Sequence, residues 1–443
     1  MRTKMIGIFM CILFMATVLP VIGTHLEVPN RNNMCSFDNS LDGGWLEEID
    51  GVSVLHLSGM NYEMGYQHGY LLKDEIEQNY RAMMNFLDQV GWNYSKLLEL
   101  WQTMEPYLPL EYLSEMQGMA DGSTLEFDTI AVLHTIPAVT NLISCWGLSA
   151  WDSATDDGRL IHVRSLDGIA HVQDPVTGKY LQENQVMIVR DPDNGYASLC
   201  PEFAGDIVCW GGINEHGIAI GELSQSSQDT TFHGINGAFR MRMVMDYAST
   251  SEEALTIMNS NRTCGWNFIV SDGTIPCGFV IEQTANYVYV GNWMSPTESI
   301  DPFWSIEDVV RRGNLYISPV LAATQRDLYD PSGVSGFIQF LLRKNPYFVV
   351  WSQYKAISDE IQNQFGTLTM NSTMMLLRDV YTGQTDIVFK FIQLLGGYVP
   401  GHQWVAYPKT GDLVICFASQ DTIASDNPVH YFNLFALLDA EPP

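Results

Sequence analysis

The hydrophobic period of the chain changes at Cys145, and this change constrains the fold more than any other feature. Before it, apolar residues recur at intervals of three and four. Met64, Leu71, Leu72, Ile76, Tyr80, Met83, Phe86 and Leu87 mark a helical section from about Gly59 to about Gln89. Further helices are expected at 94–104, at about 109–121 and at 127–141, the last leading directly through Ser144 into Cys145. From Cys145 to about Gly291 the pattern is that of strands, at 145–151, 159–165, 185–191, 196–200, 206–213, 217–223, 266–271, 278–283 and 287–291. Helical spacing interrupts at 241–259 and returns at 303–324, 332–343 and 350–364. A last pair of strands surrounds Thr410-Gly411-Asp412, while 24–55 carry little signal and Ile387 to Leu395 is too short and apolar to assign. Helices, sheet, helices and a closing β pair predict one α/β domain of layered α/β/β/α architecture after a helical segment.

The hairpin at the change of period carries the chemistry. Cys145 to Trp151 is apolar, Asp156-Asp157-Gly158 is a turn signal, and Arg159 to Ser165 roughly alternates polar and apolar. The return strand brings back Arg164 and then Asp167. On a straight strand these two point to opposite faces, so they converge only if the chain bends near Leu166, beside Gly168.

Earlier in the chain, Gly65 and Gly69 lie four apart on one helix face. Glycine weakens a helix, so close packing against another element is expected there. His68 has no second ligand spaced with it and is expected to pack; His171, His216 and His233 share no metal spacing either. There is no His-Glu-x-x-His, no Cys-x-x-Cys pair, no phosphate loop and no dinucleotide fingerprint, so neither metal nor cofactor is expected.

Residues 1–23 read as a signal peptide. Arg2 and Lys4 precede an apolar run from Met5 to Ile22, and Val21-Ile-Gly23 offers a cleavage site. The alternative is an uncleaved anchor over 5–22. A secreted or extracytoplasmic location follows from the first reading, and stable membrane association only from the second. Seven cysteines remain after Cys11. Cys200 and Cys209 flank Ala204-Gly205, Cys264 and Cys277 flank Asp272-Gly273, and Cys35 with Cys416 are left by elimination; buried reduced thiols are the alternative. Cys145 has no evident partner. Asn93, Asn261 and Asn371 open N-glycosylation sequons. A net charge of -29 with no basic patch argues against nucleic acid as a partner.

Cys145 on a strand, a short hairpin, then Arg164-Ser-Leu-Asp167 resembles the autoproteolytic N-terminal-nucleophile hydrolases, most closely the penicillin acyltransferase-like group (acyl-CoA:isopenicillin N acyltransferase), related to acid ceramidase and the choloylglycine hydrolases. Gly59-x-x-Tyr-x-x-Gly-x-x-x-Gly69, Asn214-Glu-His-Gly217 and Gly265-Trp-Asn-Phe-Ile-Val-Ser-Asp-Gly273 are similar to further segments of that group. The resemblance implies a four-layer αββα sandwich, a pro-segment or small chain over 24–144, a catalytic chain over 145–443, and self-cleavage between Ser144 and Cys145. It implies Cys145 as nucleophile, Asn267 as an oxyanion donor, and roles for Arg164 beside the sulfur and Asp167 at the new ammonium. Where the bile-salt hydrolases place an Asn, this chain reads Gly221-Glu-Leu-Ser224.

The chemistry behind those roles is general. An internal cysteine has no base of its own, whereas an N-terminal one carries an α-amine of pKa about 7.7–8.0. Self-cleavage therefore creates both the nucleophile and its base, giving an acyl-enzyme route to hydrolysis or acyl transfer of a small N-acyl amide. The partners expected are that substrate and the two chains of one precursor. An ester or lipid hydrolase of the phospholipase B-like type, and a non-catalytic binding protein on the same fold, are the alternatives.

Overall fold

The computed structural model describes residues 41–139, 144–167, 172–382, 400–420 and 422–442. The expected signal peptide at 1–23, Cys35, the expected bend beside Gly168, His171 and the apolar run 387–395 lie outside them. Fifteen strands are described: β1 Trp45–Ile49, β2 Val52–Gly59, β3 Ser144–Asp152, β4 Gly158–Asp167, β5 Gln185–Pro192, β6 Ser198–Phe203, β7 Gly211–Asn214, β8 Ile218–Ser224, β9 Trp266–Asp272, β10 Cys277–Gln283, β11 Val288–Gly291, β12 Val309–Arg312, β13 Pro400–Tyr407, β14 Asp412–Phe417 and β15 His430–Asn433. The helices are α1 Asn61–Leu71, α2 Lys73–Gln89, α3 Tyr94–Met104, α4 Leu110–Ser123, α5 Phe127–Leu133, α6 Ile136–Val139, α7 Gly237–Tyr247, α8 Ser251–Asn259, α9 Pro319–Ala322, α10 Gly333–Leu341, α11 Tyr347–Asn363, α12 Met370–Tyr381 and α13 Leu434–Leu438.

The strands form two sheets. One has nine strands in the order β1-β2-β5-β6-β7-β8-β9-β10-β11, the other six in the order β12-β3-β4-β13-β14-β15. The sheets pack face to face, β3 and β4 against β8 and β9. Val54, Met187, Leu199 and Ile213 from one meet Trp404, Leu413 and Ile415 from the other. Outside the nine-stranded sheet lie α1–α5, α7 and α8, burying Met64, Ile76, Trp101, Tyr112 and Met245 with Leu55 and Ile188. Outside the six-stranded sheet lie α11 and α12, where Ile357 and Leu377 bury Trp146, Leu148 and Val405. The architecture is thus helix, sheet, sheet, helix, as expected. No described helix is long and apolar enough to cross a membrane.

The glycine pair in α1 has the function its spacing implied. A Cβ on Gly65 would sit 1.9 Å from the Glu115 carbonyl oxygen, and one on Gly69 2.3 Å from that of Met119. The contact is reciprocal, because Gly118 and Gly122 of α4 lie as close to the carbonyls of Tyr62 and Tyr66. Four glycines let the two backbones touch, and any Cβ there drives backbone against backbone.

Two regions differ from the sequence pattern. Strands β1 and β2 fall where little signal was read, and β2 pairs in parallel with β5, from Val54↔Met187 to Gly59↔Pro192. So the segment before Cys145 is not purely helical; it contributes two strands to the larger sheet. The helix expected over 303–324 is instead a loop, the edge strand β12 paired with β3, and the single turn α9.

The cysteine pairings also differ. Cys264 and Cys277 lie at opposite ends of a hairpin in which Cys277 faces Asp272 and Trp266 faces Gln283. Six residues of strand separate those ends, roughly 20 Å, which no disulfide spans. Cys200 and Cys209 are close, with sulfurs 3.7 Å apart, but not bonded; the Cys35–Cys416 pairing lies outside the described residues.

Candidate active site

Cys145 lies one residue into β3, opposite Leu166 of β4, and is wholly buried. Arg164 is also fully buried and donates from Nη2 to the Cys145 sulfur at 3.1 Å. It fits because Gly221 of β8 has no side chain; a Cβ there would come within 2.9 Å of Arg164 Cδ. The same Nη2 donates to Glu222 Oε1, and the Cys145 thiol donates to that oxygen at 3.5 Å. Thiol, guanidinium and carboxylate therefore form a closed, buried triangle.

The electrostatics follow from that burial. Burial pushes the Cys145 thiol well above its usual range; the Arg164 charge pulls it down, and Glu222 and Asp167 push it up again. Burial outweighs Arg164, which favours the protonated thiol. Burial likewise raises Glu222, against the pull of Arg164. Burial acting alone would lower Arg164, but the neighbouring Cys145, Glu222 and Asp167 more than offset it, and the guanidinium stays charged.

Asp167 is brought near but on the other face. It sits across from Ser144, yet its carboxylate accepts from Ser165 Oγ at 2.6 Å, from Tyr381 Oη of α12 at 2.7 Å and from Gln353 of α11 at 3.5 Å. The strand stays extended through Asp167, so alternation of side chains decides: Arg164 faces β8 and Asp167 faces the helices. Burial lifts its carboxyl to about 6, held back by the hydrogen bonds from Ser165 and Tyr381. This gives a signed expectation. A carboxyl raised in the folded state contributes stability that is complete below its unfolded pKa and lost as pH rises through about 6. In the uncut Cys145→Ala background, Asp167→Asn lacks that loss. Relative to its parent, the variant should gain roughly 3 kcal/mol between about pH 4 and about pH 7.5. Urea unfolding across that range checks it; a pH-independent difference means Asp167 titrates normally.

Asn267 on β9 is buried. Its side-chain nitrogen donates to the carbonyls of Gly313 at 3.0 Å and Leu315 at 2.7 Å. Between those carbonyls stands Asn314, whose Oδ1 accepts from the backbone N–H of Cys145. Asn314 and Glu222 were not singled out in the sequence. Glu222 had a readable signal, a carboxylate inside the apolar run Ile218–Ser224; Asn314 sits in a loop and had none.

None of the described histidines singled out in the sequence belongs to the triangle. His68 Nε2 accepts from the Gly205 N–H at 3.0 Å, and burial lowers its pKa to about 3. His216 stacks edge-on with Tyr196, and His233 is exposed. Among the described residues, one group has metal-ligand potential: Cys200, Glu202 and Cys209, with donor atoms within 4.8 Å of one another. It shares no residue with the Cys145 triangle.

Comparison with known proteins bears on this arrangement. The chain is 24% identical over 447 residues to protein dcd1A of Dictyostelium discoideum, covering 92% of this chain and 93% of that protein. It is 27% identical over 325 residues to an uncharacterized protein of Archaeoglobus fulgidus, covering 63% of this chain and 53% of the relative. Protein dcd1B of Dictyostelium discoideum is 25% identical over 295 residues, 58% of this chain and 55% of that one. The chain thus spans about half the length of two of these curated relatives. Among solved structures, a conjugated bile acid hydrolase from Clostridium perfringens aligns with TM-score 0.36 and 15% identity, over 66% of this chain and 93% of that one. A Caenorhabditis elegans N-acylethanolamine-hydrolyzing acid amidase ortholog aligns with TM-score 0.35 and 16% identity, over 60% and 93%. Residues 167–289 match the family described as acyl-coenzyme A:6-aminopenicillanic acid acyl-transferase. That match begins at Asp167 and contains Glu222 and Asn267 but neither Cys145 nor Arg164; the hairpin and Arg164-Ser-Leu-Asp167 resemble the same group.

Proposed function

We propose that this chain is an exported, self-cleaving cysteine amidohydrolase or acyltransferase, acting on a non-peptide N-acyl amide through a Cys145 acyl-enzyme. The observation that carries the reading is the triangle at Cys145: a thiol held by Arg164 at 3.1 Å and facing Glu222 at 3.5 Å, on the first residue after the expected cut. The acyl-transferase family match supports acyl transfer as the class of reaction.

Two bases serve two stages. Before cleavage Cys145 has no free amine, and Glu222 is the carboxylate in position to take the thiol proton. Sulfur then attacks the Ser144 carbonyl carbon, the bond to the Cys145 nitrogen breaks, and that nitrogen takes up the proton. Water hydrolyses the resulting thioester and returns the thiol. After cleavage the new α-amine is the base, and Arg164 stabilises the thiolate. The two chains stay together. The small one keeps β2 in the larger sheet, Arg81 bonded to Asp174 at 2.8 and 2.9 Å, and Glu115 bonded to Arg242 at 3.0 and 3.1 Å.

The test is turnover on a panel of N-acyl amides of graded acyl length, each beside its matched ester, with and without an added amine acceptor. Release of amine and acid from the amides is expected, or exchange of the amine when acceptor is present. Hydrolysis of the esters alone overturns the amide assignment in favour of an esterase.

A further inference from the structure

We infer that Cys200, Glu202 and Cys209 hold a zinc ion, which clamps the loop on which the segment ahead of Cys145 is seated. The site shares no residue with the Cys145 triangle and does not depend on the self-cleaving reading.

The donors converge for local reasons. Cys200 and Glu202 lie two apart on β6, so their side chains share one face of the sheet. The chain then turns at Gly205, whose φ of +98° suits glycine, and returns Cys209 just ahead of β7. Gly212 of β7 makes the room, since a Cβ there would lie 2.4 Å from the Cys200 sulfur. The two sulfurs and a Glu202 oxygen lie within 4.8 Å of one another, and all three residues are fully buried. The sulfurs are 3.7 Å apart. A disulfide needs about 2.05 Å. Two thiolates each about 2.3 Å from one tetrahedral zinc stand about 3.8 Å apart.

The charges call for a cation. One Glu202 oxygen accepts from the Trp210 N–H at 3.1 Å, while the other is buried with no hydrogen-bond partner. The neighbouring acidic groups are Cys200, Cys209 and Asp206, whose carboxylate accepts from Trp210 Nε1 at 2.8 Å. Arg190 faces all three donors, and Arg242, also near Cys200, is paired with Glu115 and Asp246. Arg190 offsets one negative charge of the deprotonated set, and a divalent ion offsets most of the rest. Without that ion burial pushes Glu202 and Cys209 well above their usual ranges, and protons stand in its place. Two soft thiolates with one carboxylate favour zinc over calcium or magnesium, and the fourth position is left to a water molecule. The loop inside the clamp seats the segment ahead of Cys145. Asn79 donates to the Ala204 carbonyl at 2.9 Å, and the N–H groups of Gly205 and Ile207 donate to His68 and His134 at 3.0 and 3.1 Å.

The experiment uses the full chain, produced in medium supplemented with zinc, dialysed against EDTA and assayed for metal by plasma mass spectrometry. Wild type should retain about one zinc per chain, because an ion sealed in during folding is not reached by the chelator, and Cys200→Ser combined with Cys209→Ser should retain about none. Cys277→Ala, at a half-buried cysteine outside the cluster, should retain it. Glu202→Gln keeps the oxygen that Trp210 uses but loses the anion, and should give up its zinc to about tenfold less chelator. Produced with cobalt(II) in place of zinc, the wild type should show thiolate-to-cobalt charge-transfer absorption, which the paired serine variant lacks. If that variant fails to fold, the wild-type cobalt spectrum and Glu202→Gln decide. Wild-type protein with no zinc and no cobalt band overturns the site. So does a denatured, alkylated chain whose mass shows Cys200 joined to Cys209, since the pair is then a disulfide. Neither result touches the reading of Cys145.

Discussion

Cys145→Ala is expected to yield one uncut chain where the wild type yields two, the larger beginning at Cys145. It should also abolish acyl transfer, by about four orders of magnitude or more, the size of loss seen when a covalent nucleophile is removed. The argument is local. The Cys145 sulfur sits 3.1 Å from Arg164 and 3.5 Å from Glu222, and none of those contacts involves another nucleophile. The fold should survive, because the change removes one buried sulfur from a strand anchored by eight register pairs with β4. A stability change of about 1 kcal/mol is expected from lost packing, partly offset because Glu222 loses its thiol neighbour and keeps Arg164. Intact mass and N-terminal sequencing of both proteins read the result. A mutant still cut before residue 145 shows that a separate protease makes the cut. A wild type that stays whole from about pH 4 to about pH 8 removes the α-amine from the mechanism.

The residues that made this site legible are the ones whose geometry is local. The β3–β4 hairpin was readable because Asp156-Asp157 lead into Gly158, which holds a positive φ at the start of the return strand. The four-glycine crossing was half readable: Gly65 and Gly69 announced a close approach, but the sequence did not name α4 as the partner. What escaped was non-local. Strand β2 is a good strand only beside β5, more than 120 residues away, and isolated it reads as a short apolar run. The stretch 303–324 has apolar residues at helical intervals, yet Val309 and Val310 are taken as an edge strand by β3, and Pro319, tolerated at the start of a helix but not inside one, bars a helix from running through it. Asn314 becomes a site residue only because β12 delivers its loop to Cys145; nothing in its neighbours' identities says so. The Cys264–Cys277 pairing failed for a related reason, since flanking a turn signal does not fix the register of the strands beyond it.

Removing Arg164 is the second large effect, and its partner makes the prediction sharp. Arg164 and Glu222 are both fully buried and directly bonded. Taking away the cation alone strands a carboxylate in the interior, so Arg164→Met should lower stability by about 3–5 kcal/mol at neutral pH. Burial already raises Glu222 against the pull of Arg164, so without that pull its carboxyl rises further. A group raised in the folded state contributes stability below its unfolded pKa and loses it as pH rises, so the deficit should shrink on acidification towards about pH 4.5. Self-cleavage should stop, because a protonated Glu222 takes no proton and the thiol loses the charge that favours its anion. Glu222→Gln acts in the opposite sense on the sulfur. It leaves Arg164 beside Cys145 and removes a negative neighbour, so the thiol becomes more acidic and alkylates faster, while cleavage slows for want of a base. Combining the two removes both charges and should recover most of the stability lost in Arg164→Met without restoring cleavage. Urea midpoints for the four proteins, iodoacetamide rates and intact mass together close the cycle. If the two single changes simply add in the double, within about 0.5 kcal/mol, the buried pair is not an energetic unit. In that case the triangle at Cys145 is a packing arrangement, and the two-base mechanism loses its first base.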